Sequence, residues 1–230
     1  MSDSTIALFP LNMVLLPGQV LPLHIFEPRY RQLINDLLER EDPQTRAFGI
    51  VAIREGHEVG DDAARALNQV GTMALVHEVE RYADGEFDVI TIGGDRFSID
   101  SLEPADPYLR ANVTWLNEPA GEAGQSLTDA VRQSFIQYWR NLNWGDQVAD
   151  FVEFDEFDEH DVPDDPHILS YFVAAELMLD QSDLQGLLEA PDDTARLKRE
   201  LALLRRESAL AIHLRSIPAG DFAHTAISLN

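Results

Sequence analysis

The feature that most constrains the fold is a change in hydrophobic periodicity near residue 120. From residue 5 to about residue 117, short segments rich in Val, Ile, Phe and Thr alternate apolar with polar side chains, which is typical of β-strands. Residues 118–126 form a linker-like break, after which apolar residues recur at helical spacing. The sequence therefore predicts an α+β protein, with a β-rich part over residues 1–117 and a helical part over residues 118–230.

Turn signals divide the β-rich part into strands. Tyr82-Ala83-Asp84-Gly85 carries an Asp-Gly pair and predicts a hairpin, and Gly93-Gly94 predicts a second tight turn. Many short strands joined by such turns favour a barrel or a sandwich.

One helix interrupts the predicted strands early in the chain. It begins at Pro28, because proline at the first helical position loses no hydrogen bond. The apolar stripe that this helix would bury contains Tyr30, Leu33, Ile34, Leu37 and Leu38.

The helical part is predicted to contain four helices. The first has Ser126 as its N-cap, and its apolar face contains Leu127, Val131, Phe135, Tyr138 and Leu142. The three later helices are each opened by Asp or Ser. The basic residues of the last helix are interpreted as its solvated face: Arg196, Lys198, Arg199, Arg205 and Arg206.

Composition excludes several classes of function. The 230 residues carry a formal net charge of -24, which disfavours binding to nucleic acids and to anionic membranes. The chain has no cysteine, so disulfides, thiolate zinc sites and cysteine nucleophiles are excluded. The N-terminus lacks a basic signal-peptide region, and no segment is long and apolar enough to span a bilayer. A cytoplasmic protein is predicted.

Catalytic motifs are missing from the sequence. Lys198 is the only lysine, and it lies in an Arg-rich amphipathic segment rather than in a phosphate-binding loop. The chain has no Gly-x-Ser-x-Gly motif, and residues 77–81 alternate like a strand although they resemble the start of a zinc-protease helix. We predict no enzymatic activity, no catalytic residues and no cofactor.

Residues 150–165 form a strongly acidic loop with two further features. Its carboxylates and histidines invite a metal hypothesis, but without a calcium-loop glycine pattern a solvated loop is the preferred interpretation, and no metal is predicted. Phe151, Phe154 and Phe157 recur at every third position among the acids. These rings contact a partner protein, occupy the module's own groove as a pseudo-ligand, or anchor the loop to the body of the protein, and anchoring is the preferred interpretation.

Charged residues cluster where the second predicted strand meets the early helix. His24 is interpreted as a structural residue rather than a catalytic base, because a base needs an orienting partner. The Glu27 carboxylate is expected to satisfy free N–H groups in the first turn of the helix. Arg29 either pairs with Glu27 or faces a ligand carboxylate.

Several ordered motifs together resemble one known family. "FPLNMVLLPGQVLPLHIFEPRYRQLI", "FGIVAIREGHEVG", "VGTMALVHEVERYADGEFDVITIGGDRFSI" and "PYLRANV" are similar to the N-terminal substrate-recognition domain of the ATP-dependent Lon protease. The resemblance runs from about residue 5 to residue 117, and "LSYFVAAELMLDQSDLQGLLEAPDDTARLKREL" resembles the helical half of that domain.

The resemblance implies a fold and a function. It implies a PUA-like β-barrel followed by a C-terminal α-helical bundle, acting alone without the ATPase and protease modules of the Lon protease. It also implies a non-catalytic module that recognises exposed or unfolded polypeptide segments in protein quality control. The residues expected near the peptide are Phe26, Glu27, Arg29, Tyr30 and Arg31.

Other functions remain open at this point. The chain is alternatively an adaptor that docks on one folded partner through the acidic loop. It is alternatively a binder of a small molecule or of nucleic acid, or a hydrolase that uses His24 or His57 with nearby carboxylates.

Overall fold

The computed structural model of the protein describes residues 5–54, 67–103, 107–119, 121–143 and 159–215. Within these ranges six β-strands form one mixed sheet and are accompanied by five α-helices, so the protein is α+β. The strands are β1 (Thr5–Leu11), β2 (Val20–Ile25), β3 (Ala47–Ala52), β4 (Val70–Arg81), β5 (Phe87–Glu103) and β6 (Arg110–Trp115). The helices are α1 (Pro28–Leu38), α2 (Gln125–Asn143), α3 (Pro166–Glu176), α4 (Gln181–Leu188) and α5 (Asp193–Arg215).

The strand pairings form a closed circuit. The order in the sheet is β2-β5-β4-β3-β1-β6, and β5 pairs with β6 as well. The circuit therefore contains β5, β4, β3, β1 and β6, and β2 lies outside it, paired with β5. All pairings are antiparallel except the parallel pairing of β1 with β3. The 17-residue β5 makes this closure possible, because its first half pairs with β2 and its last residues pair with β6.

The length of β5 corrects one sequence prediction. Gly93-Gly94 was predicted as a tight turn, yet both glycines lie inside a continuous strand. The register with β4 shifts beside them, which marks a β-bulge. Gly93 also lets the chain before β2 approach closely, because a Cβ at this position would lie 2.0 Å from the carbonyl oxygen of Leu16.

The predicted Asp-Gly hairpin is confirmed between β4 and β5. Gly85 has a φ of 86°, a conformation that glycine adopts without steric cost. The amide of Tyr82 donates to the carbonyl of Glu86 at 2.9 Å, so the pairing of the two strands extends to the turn.

The early helix α1 begins at Pro28, as predicted, and buries its apolar stripe. Leu33, Ile34 and Leu37 are almost completely buried, and the Tyr30 ring stacks on Phe9 with centroids 3.8 Å apart. Burial of each aliphatic side chain is worth about 2 kcal/mol, so this stripe fixes α1 to the sheet core.

The expected capping role of Glu27 is wrong for its side chain. Glu27 occupies the N-cap position, but its carboxylate makes no capping hydrogen bond. It accepts from Arg29 at 2.9 Å instead, and the first turn of α1 bonds to the backbone carbonyl of Glu27.

The chain divides into two compact units, and the first is discontinuous. It consists of residues 1–119 and 174–191. Within it, the buried Arg96 of β5 donates to the carbonyls of Leu188 and Ala190 at 2.5 and 2.7 Å and pairs with Glu118 at 3.1 Å. Arg96 therefore links the sheet to the C-terminal end of α4, where the helix dipole favours a cation.

The second unit consists of residues 120–173 and 192–230. The predicted apolar face of α2 is confirmed for Val131, Phe135 and Tyr138, which are buried. The predicted start of this helix is slightly wrong, because α2 begins at Gln125 and the carbonyl of Gly124 accepts its first backbone hydrogen bonds. Ser126 therefore lies inside the helix.

The predicted opening of the later helices by Asp or Ser is confirmed for α3 and α5, whereas α4 begins slightly before the predicted Ser182 and is capped by Asp180. Asp165, Asp180 and Asp192 accept hydrogen bonds from backbone amides three residues further on, at 3.0, 2.8 and 2.7 Å. Each carboxylate satisfies an amide that has no partner inside its own helix.

Arg196 corrects the interpretation of the last helix. It was placed on the solvated face, but its side chain is fully buried. Its guanidinium donates to the hydroxyls of Ser170 and Tyr171 at 2.8 and 2.9 Å and lies 3.7 Å from the centroid of the Tyr171 ring. Burial raises the pKa of the nearby Glu200 carboxyl well above its usual value, and the charge of Arg196 opposes that shift.

Two features are absent from the described ranges. Within those residues, no helix combines the length and the apolar character needed to cross a membrane. The same residues contain no group of three or more His, Asp or Glu side chains that could hold a metal ion.

Candidate functional site

The strands β2, β5 and β4 expose one face of the sheet. Leu21 and Ile25 of β2 are buried with Thr91 and Val89 of β5 on the core side. Because side chains alternate along a strand, the residues between them point to the opposite side of the sheet. We call this side the outer face.

The register of the three strands defines the outer face. Residues directly opposite one another in antiparallel strands share a face, so the pairings give three rows across β2, β5 and β4. The rows are Val20–Ile92–Leu75, Pro22–Ile90–Glu78 and His24–Asp88–Glu80.

One end of the outer face is an exposed apolar surface. Val20 and Leu75 are 59% and 43% exposed, and Ile92 lies between them, partly buried. Pro22 and Ile90 extend this surface by one row. Contiguous apolar side chains that remain exposed on a folded protein commonly mark an interaction site.

The other end is a hydrogen-bonded group centred on His24. Its Nδ1 lies 2.7 Å from Asp88 Oδ1, and its Nε2 lies 3.0 Å from Glu86 Oε2. The hydroxyl of Tyr82 donates to the second oxygen of Asp88 at 2.6 Å. These contacts connect β2, β5 and the hairpin between β4 and β5.

The carboxylate of Asp88 controls the protonation of this group. Its hydrogen bond raises the pKa of His24 above 6.5 and the pKa of Tyr82 to about 12. In return, the hydrogen bonds from Tyr82 and then His24 lower the pKa of Asp88. The arrangement therefore favours an ionised Asp88 beside a protonated imidazole, which is an ion pair at the surface.

Phe26 continues the outer face beyond the end of β2. It is 59% exposed, and its ring centroid lies 6.2 Å from that of His24 in a stacked orientation. The structure thus places this predicted residue next to the charged end of the outer face.

The other residues predicted near a peptide lie at the start of α1. Arg29 pairs with Glu27, and its guanidinium carbon lies 4.5 Å from the Tyr30 ring centroid. Arg31 donates to the carbonyl of Asp84 at 2.9 Å, which ties α1 to the hairpin. The Tyr30 ring itself belongs to the core, so only the other four side chains are available at the surface.

The predicted partner contacts at Phe151, Phe154 and Phe157 lie outside the described residues. Their role stays a prediction.

The sequence reasoning missed the apolar end of the outer face. Val20, Pro22, Leu75, Ile90 and Ile92 were assigned to strands but not to a site. A signal was present, because "VLPL" is apolar at four successive positions and "VITI" at three of four. Strands that are apolar on both faces are covered on both faces or bind something on the second face.

The comparison with protein families identifies the chain. The family model of the ATP-dependent protease La (LON) substrate-binding domain matches residues 5–206. The chain belongs to this family. The resemblance seen in the sequence is therefore confirmed.

Curated Lon proteases show the same relationship. Lon protease 2 of Syntrophobacter fumaroxidans is 27% identical over 200 residues, covering 85% of this chain and 23% of that protein. Lon protease 2 of Sorangium cellulosum is 29% identical over 214 residues, covering 88% of this chain and 25% of that protein. The chain thus spans about a quarter of the length of these relatives.

Solved structures of Lon N-terminal domains share the fold. The crystal structure of the Lon N-terminal domain protein from Xanthomonas campestris aligns with a TM-score of 0.61 at 22% identity, covering 86% of this chain and 97% of that chain. The N-terminal domain of the Mycobacterium avium complex Lon protease aligns with a TM-score of 0.60 at 20% identity, covering 89% and 98%.

Proposed function

We propose that this protein is a non-catalytic recognition module that binds exposed or unfolded polypeptide segments in protein quality control. The observation that carries the proposal is the exposed apolar end of the outer face, in a chain that belongs to a substrate-binding family. An unfolded segment offers apolar side chains that a folded client buries, so an exposed apolar surface distinguishes the two.

The edge of β2 gives a polypeptide a way to bind. Among the described strands, β2 pairs with β5 alone, so no described strand pairs with its second edge. Pro22 is consistent with this position, because proline in a sheet is confined to edge strands, strand starts and bulges. A segment added along this edge would gain main-chain hydrogen bonds and direct alternate side chains to the outer face.

The joint between β2 and α1 borders the same edge. Phe26 offers an exposed ring, and the charged residues Glu27, Arg29 and Arg31 follow it in the chain. We propose that these four side chains contact the bound segment, with Tyr30 supporting them from the core.

The finer description of the architecture is also a proposal. The closed circuit of strand pairings supports a PUA-like β-barrel, and the packing of α2 against α5 supports a C-terminal helical bundle. The domain boundaries 1–117 and 118–230, the cytoplasmic location, and the absence of ATPase and protease activity stay predictions.

The proposal is tested with a peptide library and a matched pair of variants. Val20→Asp places a charge on the outer face, at a residue that is 59% exposed. Ile168→Asp places the same charge on α3, at an apolar residue that is 57% exposed. Fluorescence anisotropy with peptides tiled from a denatured protein should show binding by the unchanged chain. We expect Val20→Asp to weaken that binding at least tenfold and Ile168→Asp to leave it within twofold.

Circular dichroism and melting curves establish that both variants are folded. The proposal is wrong if the unchanged chain binds no peptide at low or moderate salt, or if both variants bind equally well.

A further inference from the structure

The charged end of the outer face carries more negative than positive charge. Asp88 and Glu80 share a row with His24, Glu78 lies one row away, and Glu86 contacts the His24 ring, so four carboxylates accompany the one imidazole that the register places on the outer face. The nearby arginines leave this excess in place, because Arg29 pairs with Glu27, Arg31 binds the carbonyl of Asp84 and the guanidinium carbon of Arg81 lies 5.5 Å from the Phe87 ring centroid.

Glu78 and Glu80 are exposed, and no ion-pair partner for either is found among the described residues. Their carboxylates are therefore available to a ligand that lies on the outer face.

The spacing of the two ends adds a geometric requirement. On β2, Val20 in the apolar row and His24 in the charged row are separated by four residues, as are Ile92 and Asp88 on β5. Four residues of extended chain span about 13 Å. A bound extended segment places its residues i, i+2 and i+4 on one face. Its side chains i and i+4 therefore meet the row of Val20 and the row of His24.

We propose that the outer face selects extended polypeptide segments that carry an apolar side chain and a lysine or arginine four residues apart. This inference rests on the proposed function and adds the chemistry of the client. The segment runs over β5 and β4 on the outer face rather than along the edge of β2. Its apolar side chain lies on the row of Val20, Ile92 and Leu75, and its cation lies beside Glu80 and Glu78 of β4. A segment with an acidic residue in place of the cation is repelled by the same carboxylates.

The test uses the full chain and one set of matched peptides. Each peptide has the same apolar residues, and the residue four positions away is Lys, Gln or Glu, in both sequence orders. At low salt, we expect the Lys peptide to bind about tenfold more tightly than the Glu peptide in at least one order, with Gln between them. A further peptide moves the Lys by one position to the opposite face and should bind like the Gln peptide.

A pair of variants separates the local charge from the overall charge of -24. Glu78→Gln with Glu80→Gln neutralises the outer face, whereas Glu39→Gln with Glu41→Gln neutralises two exposed carboxylates beyond the C-terminal end of α1. We expect the preference for Lys over Glu to fall from about tenfold to about twofold in the first variant and to persist in the second.

Each outcome decides a separate question. If none of the peptides binds, the proposed function fails and this inference fails with it. If the Gln peptide binds and the Lys peptide binds no better, the charge selection alone is wrong. The inference is also overturned if both double variants lose the preference for Lys to the same extent. It is overturned as well if the peptide with the displaced Lys binds as tightly as the Lys peptide. A peptide-free dimer that Val20→Asp dissociates would assign the outer face to a second copy of the chain instead.

Discussion

At the residue scale, His24 combines exposure with a fixed orientation. Both ring nitrogens face carboxylates, Asp88 at 2.7 Å and Glu86 at 3.0 Å. A protonated imidazole donates to both, whereas a neutral one donates to only one, so the contacts favour the charged form.

We predict that a proton NMR titration gives His24 a pKa above 6.5 and that Asp88→Asn lowers it. This pair stabilises the fold where His24 is protonated and Asp88 is ionised. The contribution is lost as the pH rises through the raised pKa of His24, and also as it falls through the lowered pKa of Asp88.

Asp95→Asn provides the matched control, because Asp95 is an exposed aspartate of the same strand. It should leave the titration of His24 unchanged. An unshifted His24, or one that Asp88→Asn does not alter, would contradict the ion pair.

Sequence reasoning could not identify which side chains of the candidate site contact one another. His24 and Asp88 are 64 residues apart, and no local pattern links them. Burial was easier, because Tyr30 has the helical spacing of Leu33 and Ile34 and is buried with them. Glu27 shows the limit of local rules, since a carboxylate at an N-cap position has a second option when an arginine lies two residues away.

Among the strands and turns, the prediction at Gly85 was right and the prediction at Gly93-Gly94 was wrong. The Asp-Gly hairpin was predictable because its signal is local and requires a positive φ. The Gly93-Gly94 pair gives an equally strong local signal but serves a distant contact, the approach of Leu16 to β5. The strands and α1 were predictable from periodicity, whereas the continuity of β5 depends on pairings that periodicity does not reveal.

Gly93 provides a test of this interpretation. A Cβ at residue 93 would lie 2.0 Å from a backbone oxygen, whereas a Cβ at Gly94 would meet the flexible Leu75 side chain at 3.2 Å. We expect Gly93→Ala to lower the free energy of unfolding by about 3 kcal/mol and Gly94→Ala to change it by less than about 1 kcal/mol. Urea denaturation of the two variants measures the difference, and equal effects would show that the close approach does not constrain the strand.

At the scale of the whole molecule, the periodicity change near residue 120 predicted strands first and helices second. It did not predict that residues 174–191 form one compact unit with residues 1–119. Helical periodicity shows which side of α4 is apolar but does not show which element covers it. The attachment also uses polar contacts, because Gln185 donates to the carbonyl of Val70 and Arg96 donates to the end of α4.

Arg96 should therefore determine whether the discontinuous unit unfolds as one body. Only 4% of its side chain is exposed, and Arg96→Ala would leave Glu118 and the carbonyls of Leu188 and Ala190 without their shared donor. We expect a loss of about 3 kcal/mol in the free energy of unfolding, with faster hydrogen exchange in α4. Arg110→Ala, at an exposed arginine of β6, should cost less than about 0.5 kcal/mol. Equal effects of the two variants, or unchanged exchange in α4, would mean that apolar packing alone attaches the helix to the sheet.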